Sequence, residues 1–199
     1  MDNTYEHSPA PSSELRIATR IRLAAAGFSA AVGVIVLFGW AYDLTTLTQI
    51  LPGLTAMNPL TAMSFVVAGT ALALHSRVPS WCISALGGVV FAIGAAKLSQ
   101  FALGYSHGVD ELLFTAKLDD AIGVQRNQMA PNTALALFLI GLALGASKSR
   151  SKYAVFVFQS LSLIVVAIAL FALVGYVLDI VPLYGIKSFT LMALHTAIA

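Results

Sequence analysis

A short helix-start signature occurs three times in this chain and constrains its architecture more than any other feature. The copies are Met57-Asn58-Pro59-Leu60-Thr61-Ala62, Met129-Ala130-Pro131-Asn132-Thr133-Ala134 and Met192-Ala193-Leu194-His195-Thr196-Ala197. The first two stay in register beyond the motif, because Gly69 and Ala71 match Gly141 and Ala143 at the same offset of 72 residues. Self-similarity of this kind marks a repeated unit that buries its apolar face only against its neighbours. Here the unit is a membrane hairpin: one apolar helix, a loop, and a second apolar helix led by the signature. The expected fold is an all-α polytopic membrane bundle built from repeated helical hairpins.

Hydropathy identifies the solvent. Apolar residues make up 58% of the chain and charged residues only 10%, against roughly a quarter charged in a soluble domain. Mean hydropathy is +0.86. Net charge is +2 and the basic residues form no single patch, so nucleic acid is not an expected partner and the lipid bilayer is. The single cysteine, Cys82, leaves no CxxC pair and no intramolecular disulfide. At the head of an apolar run it reads as an inert thiol.

Five runs approach the roughly 20 residues that cross about 30 Å of hydrocarbon. They are Ile21 to Tyr42, Asn58 to His75, Trp81 to Leu103, Pro131 to Ser147 and Tyr153 to Val177. A sixth begins near Met192. Eight residues of helix rise only about 12 Å, so it reads as a truncated sixth span. The first run is longer than a signal-peptide core and four more follow it, so it is expected to be retained. Residues 1–20 read as a cytoplasmic tail and 21–199 as the membrane domain.

Lysine and arginine set the orientation. Arg16, Arg20, Arg22, Arg77, Lys148, Arg150 and Lys152 fall on one side. The other side holds Lys117, Arg126 and Lys187, and its first loop, at Asp43, has no basic residue. The N-terminus is therefore expected in the cytoplasm. The outer ends carry Gly39-Trp40-Ala41-Tyr42-Asp43, Gly104-Tyr105-Ser106-His107 and Gly175-Tyr176-Val177-Leu178-Asp179. Glycine suits a helix end and an aromatic suits the headgroup level. Pro59 and Pro131 fit the first helical position, Asn58 is a direct cap, and Ala130 requires some other partner.

These runs, with Leu51-Pro52-Gly53, Gly104 to Phe114 and Pro182-Leu183-Tyr184-Gly185, resemble a bacterial membrane input region. That region stands at the N-termini of sensor histidine kinases and related PAS or diguanylate-cyclase signalling proteins. The resemblance covers about residues 20–199. It implies a bacterial inner-membrane sensory module, a sixth span and cytoplasmic output domain beyond it, and a homodimer formed through the parent signalling protein. It carries no ligand residues onto particular positions and names no cofactor.

Candidate chemistry is sparse. Lys97 lies inside the third run, where a charge is functional by default, although its stem can snorkel to the interface or pair structurally. His75 reads as an interfacial residue. His107, Asp110 and Glu111 form the densest outer polar cluster but lack a second histidine at ligand spacing, so a solvated loop is favoured. Asp119-Asp120 reads the same way. Met57, Met129 and Met192 offer soft ligands for copper, yet repeated packing explains them more simply. No Walker, GxGxxG, HExxH or DxDxDG signature is present.

A ligand site, on this reading, lies where the repeat helices begin, among Asn58, Thr61, Asn132, Thr133, His195 and Thr196, with Lys97 and His107 at its rim. Helix N-termini direct unpaired N–H groups there, suiting a small hydrophobic or quinone-like headgroup; the simpler alternative is that Asn and Thr only cap their helices. The leading function is a non-enzymatic input module. A small transporter or channel subunit is the alternative, since repeats and polar residues in spans mark transporters too. Alkaline phosphatase fused after Val109 should be active in bacterial cells and, fused after Arg150, inactive; the opposite pattern would invert the topology.

Overall fold

The computed structural model describes residues 13–50, 54–104, 113, 127–149, 151–180 and 192–199. The described residues fold into helices and contain no strand. In chain order these are α1 (Ser13–Ala41), α2 (Thr45–Thr48), α3 (Pro59–Leu74), α4 (Ser80–Leu103), α5 (Pro131–Ala146), α6 (Lys152–Leu178) and α7 (Leu194–Ile198). Three of them, α1, α4 and α6, are long and apolar enough to cross a membrane. The second and fourth expected spans are shorter than the apolar runs suggest: α3 and α5 have 16 residues each. At 1.5 Å per residue they rise about 24 Å, short of a hydrocarbon core of about 30 Å. Three helices among the described residues, not five, thus have the length of a full span. The expected sixth span is represented by five residues, α7. Residues 13–20, read above as tail, already belong to α1.

Local chemistry explains the helix starts. Pro59 and Pro131 sit in the first turn of α3 and α5, where a missing N–H costs nothing. Asn58 Oδ1 accepts from Leu60 N at 2.9 Å and caps α3, as its position suggested. The residues before α5 and α7, Ala130 and Ala193, give no side-chain cap.

The long helices end alike. α1, α4 and α6 each stop at a left-handed residue: Asp43 (φ 58°), Gly104 (φ 69°) and Asp179 (φ 54°). Glycine takes this conformation freely, and aspartate is one of the few other residues that visit it. Leu44 N then donates to Gly39 O and Ile180 N to Gly175 O, both at 2.8 Å. Gly104 is thus the counterpart of Asp43 and Asp179. That corrects the alignment read from the sequence, in which Gly104-Tyr105 matched Gly39-Trp40 and Gly175-Tyr176. Counting back from the three stops pairs Trp40 with Phe101 and Tyr176, and Val36 with Lys97 and Ala172.

Packing repeats the same way. α3 lies mainly on α1 and α5 mainly on α4. A Cβ on Gly69 would lie 2.7 Å from Ala26 O and 2.9 Å from Ala30 N. Gly141 meets the backbone of Phe91, and the Cβ of Gly87 would lie 3.0 Å from Gly141 O. Conversely, Gly33 of α1 abuts Ala62 and Val66, and Gly94 of α4 abuts Ala134 and Phe138. Every one of these pairs maps onto its partner by a shift of 61 residues in the first helix and 72 in the second. Gly69, Ala71, Gly141 and Ala143 are all buried, as close helix contact in lipid requires of small residues.

The glycines separate into two classes with opposite responses. Gly94→Ala and Gly141→Ala push a methyl into backbone that cannot yield, and each should destabilise by roughly 1–3 kcal/mol. Gly88 and Gly145 meet nothing within 4 Å, so alanine there should leave stability unchanged or raise it by up to about 1 kcal/mol through helix propensity. Thermal unfolding followed by circular dichroism in detergent measures both.

Candidate functional site

The three signatures converge. Met57 and Ala62 pack with Ala193 in one cluster, Met129 with Leu60 in a second, and Met192 and Ala197 with Ala130 in a third. Each copy therefore touches the others in cyclic order. The methionines are 1%, 1% and 3% exposed and fall in separate clusters. They fill gaps between repeats.

At this level backbone groups are satisfied by side chains and by the short helix α2. Trp40 Nε1 donates to Met57 O at 2.9 Å, and its counterpart Tyr176 donates its hydroxyl to Met192 O. Met57 N donates to Thr48 O in α2 at 2.9 Å. Asn58 Nδ2 donates to Asn127 O at 2.9 Å, and Asn127 Nδ2 returns a bond to Ala56 O at 3.2 Å. The last two tie the first repeat to the second.

Of the expected site residues, Asn58, Thr61, Lys97, Thr133, His195 and Thr196 are buried, and Asn132 is half-buried. His107 lies outside the described residues, as do Asp110, Glu111 and Asp119-Asp120. Asn58 is a cap, while the threonines are not: Thr61 and Thr133 stand third in α3 and α5 and face the interior. Asn132 Oδ1 accepts from its neighbour, Thr133 N, at 3.1 Å. Thr133 and Thr196 line one cavity of about 80 Å³ together with Phe65, Leu137 and Met192. That volume accommodates about two waters, whereas ligand pockets run to roughly 300–1,000 Å³. His195 is 7% exposed, and neither ring nitrogen has a hydrogen-bond partner among the described residues.

Lys97 is the outstanding group. It is fully buried, so its stem does not snorkel to open interface. Its Nζ donates to Gln100 Oε1 at 2.7 Å and lies 5.1 Å from the centroid of the Phe101 ring. Val36 and Ala172 fill the same position in the other repeats, and Gly39 and Gly175 stand where Gln100 does. The second repeat alone places a cation and an amide at a level that its sister units keep apolar. Gln100, three residues beyond Lys97 in the sequence, takes its role from this hydrogen bond.

On the opposite side, the helix ends are cross-tied. Arg22 Nη1 lies 3.2 Å from His75 Nδ1, and Arg22 Nη2 donates to Ser76 Oγ at 3.0 Å. A guanidinium only donates, so His75 accepts as the neutral imidazole. Lys148 Nζ donates to Val78 O. These contacts join α1 to α3 and α5 to the start of α4. Searches against protein-family models, curated proteins and solved structures each return no match to this chain.

To sit beside Gln100 and the Phe101 ring the Lys97 ammonium gives up its hydration, a cost that an apolar side chain of similar size does not carry. Lys97→Met should therefore hold or raise the unfolding temperature in detergent. Gln100→Leu keeps the charge and removes an acceptor, and should cost about 1–3 kcal/mol. A large loss of stability in Lys97→Met would make Lys97 a structural post.

Proposed function

We propose that this chain is a non-enzymatic input module of a bacterial inner-membrane signalling protein, of the kind that precedes histidine-kinase or diguanylate-cyclase output. The observation that carries the reading is Lys97, a fully buried charge in one of three matched units whose other members hold Val36 and Ala172 there. An ionisable group retained inside a membrane helix against its solvation cost marks a working position. The sequence resemblance to input regions and the short connections between α3 and α4 and between α5 and α6 point the same way.

In this reading the N-terminus is cytoplasmic and the polypeptide crosses the bilayer at α1, α3, α4, α5 and α6. The short helices α3 and α5 complete their crossings with non-helical residues 54–58 and 127–130. Such backbone is tolerated at membrane depth when protein covers it and satisfies it; Met57, Asn58, Met129 and Ala130 are all buried. The basic side carries the ties of Arg22 and Lys148, so a displacement of α3 or α5 reaches the cytoplasmic ends directly.

The test is a chimera joining this chain to a histidine-kinase catalytic core. Lys97→Met should change autophosphorylation by roughly tenfold, within the range of ordinary allosteric coupling, at equal membrane abundance. Leu163→Met, on the exposed face of α6, should leave it unchanged. Unaltered output in Lys97→Met, together with a solute flux in proteoliposomes that the same substitution abolishes, would identify a transporter subunit instead.

A further inference from the structure

His75 stands one residue beyond α3, where α1, α3 and α5 come together on the basic side. Arg22 of α1 brings Nη1 to 3.2 Å from His75 Nδ1 and donates from Nη2 to Ser76 Oγ. The backbone of Ser147, at the end of α5, also bonds to the ring, and Lys148 adds its charge beside it. One imidazole thus joins three helices.

The repeats show that packing does not require this pair. Shifted by the 61 and 72 residues that relate the first two units, Arg22 and His75 become Ile83 and Ser147. In α6 the counterpart of Arg22 is Phe158. The second unit closes this level with a buried isoleucine, and the first alone sets an imidazole against a guanidinium.

That contact exists in one protonation state. A guanidinium has donors and no acceptor, so Nδ1 must offer its lone pair. A proton there removes the acceptor and sets a second cation 3.2 Å from the first. The charged groups around the ring are all positive: Arg22 on α1, Lys148 beyond α5, and Arg77 two residues further along the chain. The carboxylates of the described residues are Glu14, Asp43 and Asp179. Glu14 lies about 12 Å back along α1 from Arg22, and the other two lie at the opposite helix ends, so none neutralises an added proton. Burial, with Arg22 and Lys148, holds the His75 pKa below the usual histidine range, and the Ser147 bond opposes them only in part. The ring binds protons more readily once released. The tie is therefore whole above the ordinary value of about 6.5 and weakens as pH falls below it.

We propose that His75 is a proton-operated latch on the basic side of the membrane, joined to Arg22 when neutral and releasing α1 from the ends of α3 and α5 when protonated. Histidine is the side chain whose charge changes in this range, and such changes flip packed interfaces. The proposal rests on the contacts of one ring and not on the signalling role, so each can fail without the other.

The test uses the full chain with Cys82→Ser, in phosphatidylcholine nanodiscs, with spin labels at Thr19→Cys and Ser80→Cys. Thr19 is exposed on α1 and Ser80 begins α4; backbone bonds from Arg77 and Val78 to Leu74 O fix that turn to the end of α3. Pulsed electron resonance should show one separation at about pH 8 and a second, longer one that grows toward about pH 5. The ratio of long to short should rise by up to about tenfold per pH unit, the limit for one proton. His75→Gln keeps an acceptor for Arg22 and gains no proton, so it should hold the short separation throughout. Arg22→Gln can donate to the neutral ring or accept from the charged one, and should be equally indifferent to pH. Should His75→Gln fail to fold, Arg22→Gln decides alone. A single separation at every pH with His75 and Arg22 both present overturns the proposal. So does a pH response that survives either substitution, which would place the titrating group elsewhere, at His195 for example.

Discussion

Close approach of helix backbones at glycine is the contact on which the rest of this structure depends. In a bilayer, apolar side chains gain little by leaving lipid for one another, so helices associate through van der Waals fit and interhelical bonds. Gly33 and Gly69 on the first helix pair, and Gly94 and Gly141 on the second, bring backbone against backbone. Because a Cβ at any of these positions would lie under 3 Å from a neighbouring heavy atom, the crossing cannot slide by a residue. The two pairs share one register, and that register places the starts of α3 and α5 at one level.

The level so defined is one where backbone polar groups would otherwise be stranded. The segments before α3 and α5 are not helical, yet Met57 and Asn58 in one and Met129 and Ala130 in the other are buried. Unsatisfied N–H and C=O groups there would cost several kcal/mol each. The fold answers with side-chain donors: Trp40 to Met57 O, Tyr176 to Met192 O, and the reciprocal bonds of Asn58 and Asn127. The aromatic residues near the helix ends are thus tied inward by their polar tips, which amphipathic rings at buried positions require. In α1, Trp40 stands two turns beyond Gly33, which abuts Ala62 and Val66 of α3.

A symmetric scaffold makes its exceptions conspicuous. Lys97 and Gln100 occupy positions that the other units give to Val36 or Ala172 and to Gly39 or Gly175. Packing alone would be satisfied by valine, and the ammonium must be held by Gln100 and the face of Phe101 instead. His195 breaks the pattern in the third signature, where Leu60 and Asn132 are its counterparts. Repeats share what holds them together, and their differences are where specific work is done.

Much of this was legible in the residues. The apolar composition, the all-helical class, the positions where α3 and α5 start, the Asn58 cap and the burial of Gly69, Ala71, Gly141 and Ala143 all follow from hydropathy, capping and spacing. Those signals act within one or two turns, so they are written in contiguous sequence. Tertiary structure decided the rest. Gly104 proved equivalent to Asp43 rather than Gly39, because a left-handed helix stop is a backbone state that either residue adopts. The threonines of the signature turned inward instead of capping, and Lys97 was enclosed instead of reaching the interface. α3 and α5, at 16 residues each, are preceded by non-helical chain that bonds to neighbouring segments through Trp40, Asn58 and Asn127. Each of these outcomes depends on groups tens of residues apart meeting across a helix crossing, and no local pattern encodes that meeting.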